Sequence, residues 1–172
     1  TMDASVFRQE FEASFETTGN RAAWNFDRNI HVKKAKELSS YKWWGCDFNV
    51  DYMSATLACQ YTDGTIHYYD ELRLKNSNTE EMARKMKAIE PNVEVYQAVA
   101  DVAESTDAEG NVTMTIDPKC KYLIKDLEQV QRDKKGGIDK SNMELTHSLD
   151  ACSYAIAYKF PVISKASRTM KW

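Results

Sequence analysis

The stretch Lys42-Trp43-Trp44-Gly45-Cys46-Asp47-Phe48-Asn49-Val50 decides the reading of this chain. Trp43, Trp44, Cys46, Phe48 and Val50 suit a strand covered on both faces. Asp47 stands among them as a lone carboxylate. A buried, ionised carboxylate is costly unless it is paired or bound to a metal. An isolated Gly-x-Asp is ordinarily a strand end turning over, with Asp capping the turn. A second polar group, His147-Ser148-Leu149-Asp150, lifts Asp47 above that ordinary reading.

That second group lies on an expected helix from about Asn142 to Phe160, closed by Pro161. His147, Asp150, Ala151 and Tyr154 share one side of it by their i, i+3, i+4 and i+7 spacing. Small Ala151 and Ala155 let the helix approach a sheet closely. His147 and Asp150 can then point together at a strand end. Taken alone, His-x-x-Asp would more often be a solvated helix face.

Between these two signals the strands come in close order. The second is expected over 53–61 and the third over 66–74, joined by the hairpin turn Thr62-Asp63-Gly64-Thr65. Asn78 or Thr79 can cap a helix that carries Met82, Met86 and Ile89 on one face and stops at Pro91. Val93 to Tyr96 gives a fourth strand, parallel to the first if the crossover is ordinary. Residues 97–105 read equally as strand or short helix. Val112 to Ile116 is a short fifth strand. Pro118 opens a helix with the apolar stripe Tyr122, Leu123, Leu127 and Val130, ended by Lys135-Gly136-Gly137.

Upstream, Val6, Phe7, Phe11 and Phe15 mark an amphipathic helix over 5–16, ended at Gly19-Asn20. Residues 20–41 read as a connecting arm. The order predicts an α/β fold, a mixed sheet of three antiparallel strands then parallel strands with flanking helices. The expected division is an N-terminal helix and arm over 1–41, leading from an upstream domain, and a core domain over 42–172.

The totals suit a globular domain: 172 residues, 42% hydrophobic and 28% charged. A net charge of −3 confines any nucleic-acid contact to local basic patches. The four cysteines show no C-x-x-C spacing and read as reduced, buried thiols rather than a zinc site. No Walker-type phosphate loop occurs, which excludes a P-loop nucleotide engine within this chain. No apolar run is long enough to cross a bilayer.

Trp44-Gly45-Cys46-Asp47-Phe48 and His147-Ser148-Leu149-Asp150-Ala151-Cys152-Ser153-Tyr154 resemble the nuclease domain of the large terminase subunit of tailed bacteriophages. Phe7 to Phe15 resembles the segment preceding that domain, and Ile116-Asp117-Pro118-Lys119-Cys120-Lys121 also resembles the family. The resemblance implies an RNase H-like fold and a metal-dependent endonuclease that cuts concatemeric viral DNA during genome packaging. It implies two divalent ions, Mg²⁺ or Mn²⁺, held by oxygen ligands. Carried over, Asp47 is the shared metal ligand, Asp150 the helix ligand and Asp101 the second acid, with His147 ligating a metal or orienting a water. Asp101 would instead be a surface charge if 97–105 is a helix. Asp70 and Glu71 are reserve ligands.

Lys119, Lys121, Lys125, Arg132, Lys134, Lys135 and Lys140 form the expected DNA-phosphate contact, with Gly136-Gly137 as a flexible tip. The implied partners are double-stranded DNA, an upstream ATPase domain of the same polypeptide, the small terminase subunit and the portal of the procapsid. The implied location is the host cell cytoplasm, with no membrane. Two other readings compete: a resolvase- or integrase-type nuclease of the same fold, and a non-catalytic module docking on a capsid or portal partner.

Overall fold

The computed structural model describes residues 20–35, 37–49, 51–91, 93–96 and 111–159. The helix expected over 5–16 and Asp101 lie outside them. Among the described residues five strands are formed: β1 (Lys42–Phe48), β2 (Tyr52–Gln60), β3 (Ile66–Lys75), β4 (Glu94–Tyr96) and β5 (Met114–Ile116). Four helices accompany them among the same residues: α1 (Arg28–His31), α2 (Thr79–Ile89), α3 (Lys121–Gln129) and α4 (His147–Lys159). The sheet order is β4-β1-β2-β3-β5. The first three strands are antiparallel, β4 runs parallel to β1 at one edge, and β5 runs parallel to β3 at the other.

β1 is covered on both faces, as its composition requires. Trp43 packs with Ala58, Tyr68, Leu123, Leu127 and Leu149 under α3 and α4. Trp44 and Cys46 pack with Leu57, Met82 and Met86 under α2. Strand alternation therefore puts Gly45 and Asp47 on the α4 face. Gly45 is where α4 crosses β1. A Cβ added there would lie 2.1 Å from the Ala151 carbonyl oxygen and 2.9 Å from the Ala155 Cβ. The two alanines and this glycine together allow near-backbone contact between helix and strand.

A bulge interrupts the β2–β3 pairing between Leu57 and Ala58, which face Asp70 and Tyr68. The extra residue, Tyr69, shifts the phase of β3. Before it, Tyr68 faces α3 and α4. After it, Leu72 and Leu74 face the α2 side, and Glu71 and Arg73 turn towards α3 and α4.

The Asn78 cap is present, its side chain accepting from the Glu81 amide at 2.9 Å. Met82 and Met86 are buried, but Ile89 on the same stripe is 38% exposed. Three helix boundaries differ from expectation, the first being that α3 starts at Lys121 and not at Pro118. α3 ends at Gln129, with Val130 extended behind it, so Lys135-Gly136-Gly137 terminates no helix. Those residues form the tip of a tight loop closed by the Arg132–Ile138 bridge, with Gly136 at φ +84. α4 starts at His147, not Asn142. Thr146 before it has φ 78, a conformation that a β-branched residue adopts only under constraint. Asn142 instead makes a local turn, accepting from the Glu144 amide at 2.9 Å.

Residues 20–33, expected as a connecting arm, contribute Ala22, Ala23 and Phe26 to the α3/α4 core. The Ala22 amide donates to the Val130 carbonyl and the Lys33 amide to the Ile116 carbonyl. Arg28 forms a two-pronged pair with Glu128 at 2.6 and 2.8 Å. All four cysteines are free and buried, and burial pushes the Cys46 and Cys152 thiols up to about 12. No helix among the described residues is long and apolar enough to cross a membrane.

Candidate active site

Asp47 lies near the C-terminal end of β1 and is 8% exposed. Its Oδ2 is 3.1 Å from His147 Nδ1. The other ring nitrogen, Nε2, is 3.1 Å from the Met143 carbonyl oxygen. A carbonyl only accepts, so Nε2 carries a hydrogen. One proton is then shared between Nδ1 and the Asp47 carboxylate. Burial pushes the Asp47 carboxyl above the usual range, the His147 hydrogen bond opposes this, and the nearby Asp150 charge reinforces it.

Asp150 sits one turn along α4 from His147, on the same side. Its Oδ2 accepts from Lys140 Nζ at 2.9 Å, and that lysine is exposed. The structure thus pairs Asp47 with His147 and Asp150 with Lys140, with the Asp150 and Lys140 charges close enough to act on Asp47.

What fixes this arrangement is a chain of helix ends held from outside. An α-helix leaves its first amides without partners. At the start of α4 those of Ser148 and Leu149 donate to Asp126 Oδ2 at 2.9 and 3.1 Å. Asp126 is fully buried on α3, and burial raises its carboxyl to about 6 despite these amides. α3 is held likewise: the Tyr122 and Leu123 amides donate to the Glu71 carboxylate at 2.7 and 2.9 Å. Glu71 on β3 orients α3, and Asp126 on α3 orients the turn of α4 that carries His147 and Asp150.

Arg73 braces the loop before α4. Its side chain is 4% exposed and donates to the Glu144 carbonyl oxygen at 3.0 Å. Its guanidinium lies 4.3 Å from the Tyr52 ring centre and 5.0 Å from that of Tyr122. Tyr52 in turn lies 5.6 Å from the His147 ring and donates to Glu144 at 2.8 Å. Tyr122, expected in the apolar stripe, is 46% exposed because it serves this stack.

Both reserve acids are engaged away from the site. Glu71 caps α3, and Asp70 pairs with Lys119 at 2.8 Å. Of the expected DNA contacts, Lys119 therefore carries a partner, and Arg132 donates to the Gly136 carbonyl at 2.9 Å. Lys121, Lys134 and Lys135 are exposed, and Lys125 is half-buried.

Asp126 and Arg73 escaped the sequence reading. Asp126 had left a trace, since it sits within the Leu123, Leu127, Val130 stripe at helical spacing. Arg73 had left none, because its facing depends on the bulge.

Two carboxylates and an imidazole suit a hard divalent cation in kind, and Lys140 already supplies positive charge where such an ion would. Among the described residues, no group of three or more His, Cys, Asp and Glu is set to hold a metal. Further oxygen ligands would have to come from elsewhere, and Asp101 lies outside the described residues.

No protein-family model and no curated protein matches the chain. Its fold is similar to that of the large terminase nuclease domain of P22, at 13% identity and TM-score 0.61, over 85% of this chain and 94% of that one. It is also similar to the large terminase nuclease of thermophilic phage G20c with bound magnesium, at 15% identity and TM-score 0.50, over 83% and 98%. The nuclease domain from bacteriophage SPP1 with bound Mn aligns more loosely, at 14% identity and TM-score 0.47, over 76% and 97%. At these identities the likeness is one of fold, and the P22 and G20c domains carry it. The chain has the RNase H-like fold of large terminase nuclease domains.

Proposed function

We propose that this chain is the divalent-metal-dependent endonuclease domain of a viral DNA-packaging motor. The observation that supports the reading is the contact of Asp47 with His147, a hundred positions apart, on a fold shared with such nucleases. Asp47 and Asp150, joined by Asp101, would hold two Mg²⁺ or Mn²⁺ ions. Such ions supply Lewis-acid charge and an activated water to phosphodiester hydrolysis.

The chain's own residues do the positioning. Met143 fixes the His147 ring, and His147 fixes the Asp47 carboxylate through the shared proton. Asp126 fixes the α4 turn. Lys140 neutralises Asp150, supplying there the positive charge that a bound ion would supply. Exposed Lys121, Lys134 and Lys135, with Lys125 and Arg132, would hold backbone phosphates by charge and read little sequence.

The substrate in this reading is concatemeric double-stranded viral DNA in the host cytoplasm. The partners are an ATPase domain upstream in the same polypeptide, the small terminase subunit and the portal of the procapsid.

Plasmid cleavage with Mn²⁺ tests it. Asp47→Asn and Asp150→Asn are each expected to lower the rate by at least about 100-fold, with circular dichroism unchanged. Chelation should abolish cutting by the wild-type chain. Full activity in Asp150→Asn, or cleavage that survives chelation, would overturn the proposal.

A further inference from the structure

Asp47, Ser54 and Arg73 stand side by side across β1, β2 and β3. Neighbouring strands lie about 4.8 Å apart, so the backbones of Asp47 and Arg73 are roughly 10 Å apart. Arg73 turns its buried side chain to the loop before α4 instead. Its guanidinium donates to the Glu144 carbonyl oxygen at 3.0 Å and lies 3.4 Å from Glu144 Oε2. The Tyr52 and Tyr122 rings beside the guanidinium hold its direction.

That loop has an exposed first half. Asn142, Met143 and Glu144 all face solvent, the Met143 side chain being 62% exposed. Burial of their side chains therefore does not fix their backbone. Arg73 ties this half to the sheet, and so does Tyr52, whose hydroxyl donates to Glu144 Oε1 at 2.8 Å. Thr146 closes the loop at φ 78, a backbone that persists only where its surroundings enforce it.

The Met143 carbonyl immediately precedes the residue that Arg73 grips, and it stands 3.1 Å from His147 Nε2. A neutral imidazole carries its hydrogen on one nitrogen, and the partner of the other nitrogen decides which. With Asp47 as its only neighbour, the ring would place the hydrogen on Nδ1, as donor to the carboxylate. A carbonyl only accepts, so Met143 draws the hydrogen to Nε2.

We infer that Arg73 is a positioning residue of the candidate active site: by gripping Glu144 it holds the Met143 carbonyl in place, keeps a hydrogen on His147 Nε2 and leaves Nδ1 to Asp47. Both ring nitrogens are then taken up by the protein, and the ring serves Asp47. The bearing of this on catalysis rests on the nuclease reading. Its test uses neither metal nor DNA, so the two can fail separately.

Imidazole ¹H–¹⁵N spectra of the whole chain at neutral pH test it, since they show which nitrogen bears hydrogen and how fast that hydrogen exchanges with water. The wild type is expected to show a slowly exchanging hydrogen on His147 Nε2. Arg73→Met, which keeps the apolar stem, should move that hydrogen to Nδ1 or speed its exchange about tenfold or more. Glu144→Ala, at an exposed position that spares the fold, removes the carboxylate shared by Tyr52 and Arg73 and should speed exchange about threefold or more. A brace that merely stabilised the fold would leave tautomer and exchange as they are. A wild-type ring with hydrogen on Nδ1 alone would overturn the inference, and so would an unchanged His147 signal in folded Arg73→Met. If Arg73→Met does not fold, an unchanged signal in Glu144→Ala overturns it.

Discussion

At the residue scale, Gly45 carries a requirement that no other amino acid meets. The Ala151 carbonyl oxygen occupies the place of its missing Cβ, and a backbone atom cannot swing aside as a side-chain tip can. Gly45→Ala is expected to cost at least roughly 2–3 kcal/mol in chemical denaturation, because α4 must lift off β1. The displaced helix would also carry Asp150 away from Asp47, so Mn²⁺-dependent cleavage should fall with stability. The sequence showed half of this contact. Ala151 and Ala155 announced a close helix, and Asp47 announced a buried charge that needed company. That Gly45 is the opposing surface needed the pairing of particular elements, which a linear pattern does not contain.

At the element scale, the first turn of α4 depends on a carboxylate 22 positions before Ser148. Asp126 has its proton held up to about 6 in the fold, against an ordinary value of 3.8. Between those values the native state keeps the proton and the unfolded chain releases it. Its contribution to stability therefore falls as pH rises through that window and is level above it. Asn at this position keeps an acceptor for the Ser148 and Leu149 amides and has no proton to lose. Asp126→Asn should gain on the wild type by roughly 3 kcal/mol between pH 4 and pH 7, read from parallel denaturation curves. Parallel pH profiles of the two proteins would remove Asp126 from this role.

The same element shows where reading a sequence stops. β1, β2, β3 and α2 were legible because alternation, an Asp-Gly turn and an Asn cap are all local signals. The first turn of α4 was not, because its cap comes from α3 and its boundary from the left-handed Thr146. α3 was overextended because Gly136-Gly137 looks the same as a helix stop and as a loop tip. Glu71 was expected as a reserve ligand, and the Tyr69 bulge turns it inward to the start of α3 instead.

At the scale of the whole molecule, residues 20–33 belong to the packed body. A chain beginning at residue 42 lacks Phe26, Ala22, Ala23 and the Arg28–Glu128 pair. Losing a buried Phe side chain alone costs about 3–5 kcal/mol, a large share of a domain's stability of about 5–15 kcal/mol. Chains beginning at 20 and at 42 should therefore differ widely in melting temperature, the longer one being the more stable. Equal melting temperatures would support the domain boundary expected at 41.

The four sequestered sulfurs give this body a built-in alarm. With Cys46 and Cys152 poor acids in the folded state, alkylating reagents should stay idle at neutral pH until the sheet parts from its helices. The pace of native-state labelling by iodoacetamide then clocks how often the molecule breathes, with no dye or tag added. A cysteine grafted beside Asp150 could carry a fluorophore while the native thiols stay silent.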